Sequence, residues 1–119
     1  MERRRFLLLT STGVLATLTP FCNSRRNDPA LSKPIFLSAI CDARTLREIG
    51  AAYRASTPDE AKRSHLAGSL TEGIPENVNL ANQLNAQVRQ DFASGKTVTV
   101  DGWVLSVTEA RQCALFSLV

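Results

Sequence analysis

The sequence predicts a mainly α-helical domain of four to five helices with one short β-hairpin near residues 97–105, behind an N-terminal signal-type segment. Three observations predict it. Leu80, Leu84, Val88 and Phe92 recur every fourth residue, the spacing of one helix face. Two stretches, Thr57-Pro58-Asp59-Glu60 and Ser106-Val107-Thr108-Glu109, read as capping boxes that open helices. Between Thr97 and Ser106 the period changes to two around Asp101-Gly102, a two-residue hairpin turn. At 119 residues the chain has room for one domain with one modest core.

The elements follow in order. Met1–Arg5 is charged, and Phe6–Phe21 is an apolar stretch of 16 residues diluted by Thr10, Ser11, Thr12, Gly13, Thr17 and Thr19. That is short and polar for a membrane span, which needs about 20 apolar residues, and it has the size of a signal h-region. Arg3-Arg4-Arg5-Phe6-Leu7 resembles the bacterial twin-arginine signal, with Arg3 and Arg4 as the pair and Phe6-Leu7 behind them. Glu2 and Leu8 stand where Ser or Thr and Lys are usual. Residues 1–24 are therefore expected to be an export signal or an uncleaved anchor; a short first helix of the fold is the bland alternative. Cutting near Thr19 would meet Pro20, and Cys22-Asn23-Ser24 is another candidate site. Cys22 is also a candidate for lipidation, although a large Phe21 precedes it where lipoproteins carry a small residue.

Residues 25–33 read as a linker, with Pro29 and Pro34 as punctuation. The helical domain is expected over residues 34–119. Pro34 suits a first turn, and Ile35-Phe36-Leu37 with Ala39-Ile40 make a short apolar helix. Asp42 caps the next, on which Leu46, Ile49 and Tyr53 share a face. Thr57 is expected to open a third helix ending near Gly68, followed by a loop to Asn77. The striped helix closes at Gly95. In the hairpin, Val98 and Val100 face Trp103 and Leu105 on the other arm. The last helix is apolar almost all round through Phe116 and Leu118, so it is either central to the core or docked on a partner, and the core is the simpler home.

Chemistry is sparse. Of 14 basic and 11 acidic residues, Arg3, Arg4, Arg5 and Glu2 fall within residues 1–24, so the body has a net charge of only +1. A nucleic-acid binder needs a basic face, and none is encoded. The single histidine, His65, sits beside Lys62 and Arg63 without the convergent ligands of a metal site. There is no phosphate loop, dinucleotide fingerprint, Cys-x-x-Cys or nucleophile elbow. Asp42, Glu48, Asp91 and Glu109 are explained by caps and solvated faces. Cys41 and Cys113 form an even pair once Cys22 is set aside, and in an oxidising compartment they are candidates for a disulfide. Trp103, Phe116 and Leu118 are candidate partner contacts, with hairpin anchoring as the simpler role for Trp103.

The layout of signal, polar linker and compact helical body resembles the small subunits of membrane-bound, flavin-dependent sugar and gluconate dehydrogenases. It does so through Arg3-Arg4-Arg5-Phe6-Leu7, Phe36-Leu37-Ser38 and the Trp103 region. The resemblance implies a non-catalytic accessory subunit without a cofactor of its own. Such a chain works at the periplasmic face, with the twin-arginine machinery and a large flavin-dependent dehydrogenase subunit as partners. Its membrane contact is expected through the N-terminal segment only. A free-standing periplasmic or membrane-tethered helical binding protein is the alternative.

Overall fold

The structure is a computed structural model that describes residues 28–119. Arg3, Arg4, Phe6, Leu7 and Cys22, and with them the boundaries of the expected signal segment, lie outside the described residues. Five α-helices and one two-stranded antiparallel hairpin follow: α1 (Ile35–Ser38), α2 (Ala43–Ser56), α3 (Arg63–Thr71), α4 (Leu80–Ser94), β1 (Thr97–Val100), β2 (Trp103–Ser106) and α5 (Val107–Phe116). Short 3-10 turns precede α1 (Pro29–Ser32) and α3 (Pro58–Glu60).

α5 is the axis of the domain. It touches α2, α3, α4, both strands and the Pro29–Ser32 turn. Ala110, Cys113 and Ala114 on it are fully buried, so the last helix is central. Its closest neighbour is α2, which crosses it at Gly50. A Cβ at Gly50 would overlap the carbonyl of Cys113, so only glycine permits this approach. Leu46, Ile49 and Tyr53 bury the expected face of α2, and the Asp42 carboxylate accepts from Thr45 N at 2.9 Å to cap it.

α4 begins at Asn79, whose side chain accepts from Asn82 N, and ends at Gly95, which takes the left-handed conformation at φ 80°. Leu80, Leu84 and Val88 are buried as the stripe predicts, but Phe92 is 47% exposed and Asp91 takes the inward position instead. In the hairpin, Asp101 and Gly102 both have positive φ, the condition for a type I′ turn. The register pairs Val98 with Leu105 and Val100 with Trp103, putting all four on the face that packs on the core.

The Thr57 capping box does not form. The Thr57 hydroxyl donates back to Tyr53 O at 2.7 Å, and Pro58–Glu60 is a 3-10 turn. Glu60 is drawn away from the chain's own amides by stronger donors, Arg111 and Tyr53. α3 accordingly starts only at Arg63, and it runs past Gly68 to Thr71. Leu66 and Leu70 supply the burial that carries it through the glycine.

Candidate functional site

The densest polar cluster lies around the first turn of α5. A helix start leaves amides without intrahelical acceptors. Here each of the first three finds one from a different element. Val107 N donates to Lys96 O at 3.2 Å, just before β1. Thr108 N donates to Asp91 Oδ2 on α4 at 3.0 Å, and the Thr108 hydroxyl donates to the same oxygen at 2.7 Å. Glu109 N donates to Ser106 Oγ at 3.0 Å, while the Glu109 carboxylate accepts from Ser106 N, completing the second capping box. Gln87, one turn before Asp91, donates to its other oxygen at 2.9 Å.

Asp91 and Glu109 are both buried. Burial pushes the Glu109 carboxyl above the ordinary glutamate value, the bonds from Ser106 pull it back, and the charge of Asp91 adds to the rise. Of the four acids noted in the sequence, these two are brought together. Asp42 caps α2, and Glu48 lies exposed opposite Arg44 at 3.7 Å.

A second cluster flanks the first. Arg111, on α5, donates from Nε and Nη2 to the two Glu60 oxygens at 3.0 and 3.2 Å, a bidentate pair. The Tyr53 hydroxyl donates to Glu60 Oε1 at 2.9 Å. The Arg111 bonds, with the Tyr53 bond behind them, hold the Glu60 carboxyl below its ordinary value against the opposing pull of burial. Burial, followed by the Glu60 carboxylate, raises the Tyr53 phenol. The two clusters share a cavity of about 320 Å³ lined by Leu70, Leu84, Asp91, Lys96, Thr108 and Arg111. Its size is at the small end for a ligand pocket. Of the polar groups that line it, Asp91 is taken up in capping α5 and Arg111 in gripping Glu60.

The remaining sequence candidates are placed as follows. Cys41, half-buried after α1, and Cys113, sealed in the core beside the α2–α5 crossing, are free thiols in this structure. Desolvation first, then the Glu109 charge, pushes the Cys113 thiol up to about 12. Trp103, Phe116 and Leu118 are half-buried and packed against the core. Arg47 stacks on the Phe116 ring at 4.7 Å, Arg54 Nε donates to Ser117 Oγ, and Arg63 donates to Leu118 O, so the C-terminal segment is held from α2 and α3. His65 is exposed on α3. Among the described residues no group of three or more Cys, His, Asp or Glu is placed to hold a metal ion.

Sequence reasoning missed the Asp91–Thr108 bond, the Glu60–Arg111 pair, the Gly50 crossing and Gln112, whose amide donates to Ala30 O at 3.0 Å and ties the first turn to α5. The one local signal was the Asp91 position, three residues after Val88, where a helix face continues inward as well as at Phe92. No family model, no curated protein and no solved structure matches the chain.

Proposed function

We propose that this chain is an exported accessory subunit, acting by binding rather than by catalysis, that escorts or stabilises a cofactor-bearing oxidoreductase. The observation that carries the reading is Arg3-Arg4-Arg5-Phe6-Leu7 ahead of an apolar stretch of signal length. The twin-arginine route takes proteins that fold before they cross, together with small partners that ride with a cofactor-bearing subunit. A domain closed around α5, with the first amides of that helix satisfied within the chain, suits a passenger that folds first. In this reading the flavin and the chemistry belong to the large partner, and the site of action is the periplasm or the outer face of the cytoplasmic membrane.

A second reading, a free-standing or membrane-tethered helical binding protein, is favoured by one observation: Ile35, Phe36 and Ile40 are exposed near the start of the described domain.

The test is an affinity pull-down of the tagged chain from its native cells, beside a variant carrying Arg3→Lys and Arg4→Lys. The expected outcome is co-purification of a large redox subunit, with both proteins retained in the cytoplasm in the variant. A chain that is recovered alone, yet still needs the arginines for export, sinks the subunit reading and leaves the second one. A chain exported without them sinks the address.

A further inference from the structure

Two side chains capable of covalent chemistry belong to neither polar cluster. Cys113 lies wholly inside the core, where α2 crosses α5. Cys41 lies in the short link between α1 and α2, half-buried and packed against the same core. The fold carries that link onto the Cys113 turn of α5. Ser38 and Leu46, which bracket Cys41 in the chain, share a cavity with Phe116, three residues after Cys113. Gln112, the residue before Cys113, donates its amide to Ala30 O at 3.0 Å and to Lys33 O at 3.4 Å, which holds the chain ahead of α1 on α5. Cys41 N donates to Leu37 O at 2.8 Å, so Cys41 is fixed at the end of a helix anchored by the buried Leu37. The two thiols also act on each other: after burial and the Glu109 charge, Cys41 adds to the rise of the Cys113 thiol.

Their surroundings give them different parts. A thiolate is the attacking form in disulfide exchange, and access decides which thiol meets an oxidant. Cys113, at about 12 and without exposure, meets none from outside. Cys41, half-buried at the surface of the core, is the point of entry.

We propose that Cys41 and Cys113 form a redox-controlled tie between the α1–α2 link and α5, open where thiols are kept reduced and closed by a disulfide-bearing oxidant. The Cys41 thiolate attacks one sulfur of the oxidant, whose S–S bond breaks and releases one thiol. The Cys113 sulfur then attacks Cys41 Sγ, and the mixed bond breaks and releases the second thiol. The two cysteines together lose two electrons, the oxidant gains them, and the two protons end on the departing thiols. The second step is the slow one, because Cys113 gives up its proton reluctantly. The closed tie joins positions 72 apart in the chain, a long loop, and so restricts the unfolded chain strongly. In cells the tie rests on the export reading, which brings the chain to an oxidising compartment; in the purified protein it needs the oxidant alone.

The experiment uses the full chain carrying Cys22→Ser, which leaves these two thiols, treated while folded with oxidised glutathione. Samples are quenched over time, alkylated, and read by mass spectrometry without reduction. The expected result is a glutathione adduct at Cys41 that appears first and gives way to a Cys41–Cys113 crosslink, faster at higher pH. The crosslinked chain melts at a higher temperature than the reduced one, and Cys41→Ser removes that difference. An adduct at Cys41 that persists without resolving overturns the proposal, as do chains joined to each other through Cys41. A crosslink that forms only in denaturant overturns it too, since the fold then keeps the thiols apart. The same measurement on the chain recovered from its native cells, beside Arg3→Lys with Arg4→Lys, tests the export reading separately. A tie that closes in the purified chain but stays open in the cellular one overturns that reading and leaves the tie standing.

Discussion

Asp91 illustrates how a buried charge is made tolerable. A lone carboxylate in a core is costly, and it survives where donors surround it. Here Thr108 gives both its amide and its hydroxyl, Gln87 gives its amide, and the positive end of α5 faces the charge. Asp91 in turn gives the second amide of α5 an acceptor that lies 17 residues away in the chain. Replacing it with alanine strands a buried N–H and a buried hydroxyl. Asp91→Ala is expected to lose about 2–4 kcal/mol of unfolding free energy by urea titration, and Asp91→Asn clearly less, because an amide oxygen still accepts from Thr108. Equal losses in the two variants would show that the bond to Thr108 is not what Asp91 contributes.

α2 and α5 show the same economy between whole helices. Their axes come close because Gly50 presents no side chain to the Cys113 carbonyl. On helix propensity alone Gly50→Ala should gain about 1 kcal/mol. Here the added methyl lands on backbone, which cannot rotate away, so overpacking of about 1–3 kcal/mol or more wins. The expected outcome is a lower melting temperature for Gly50→Ala; a rise would mean that the helices are not in this contact. This crossing also marks where the sequence stops being legible. Asp42, Ser106, Gly95 and the Asp101-Gly102 turn were readable because each acts within a few residues of itself. The Thr57 box was misread because its glutamate had a competing partner 51 residues away. Nothing local marks Gly50, because the atom that requires it is 63 positions on. The stripe on α4 was legible through Val88 and failed at Phe92, where the inward position went to a residue chosen for its charge. Apart from the Ser106–Glu109 box and the Gln87–Asp91 and Tyr53–Glu60 bonds, the candidate site is joined by such distant pairings, which local spacing does not encode.

For the whole domain, these local ties combine into a pH profile with two opposed contributions. Glu60 has its folded pKa depressed below the ordinary 4.5, first by the Arg111 bonds. Its contribution is present above that ordinary value and is lost as pH falls through the depressed one, so stability rises with pH across this window. Glu109 has its folded pKa raised above 4.5, first by burial. The folded state then holds a proton that the unfolded chain has released, and stability falls as pH rises from 4.5 through the raised value. Glu60 bridges the Pro58–Glu60 turn to α5 and Glu109 starts α5, so both act on the helix around which everything packs. Chemical denaturation of the parent chain, Glu60→Gln and Glu109→Gln across acid to neutral pH separates them. The deficit of Glu60→Gln should be largest at neutral pH and shrink as acid protonates Glu60 in the parent. Glu109→Gln should improve relative to the parent as pH rises above 4.5, since it removes a group that must ionise in a buried place. Parallel profiles for all three chains would show that neither carboxylate is held in the environment described. Opposite slopes would show that α5 is gripped by one charge that is well solvated by its partners and burdened by one that is not.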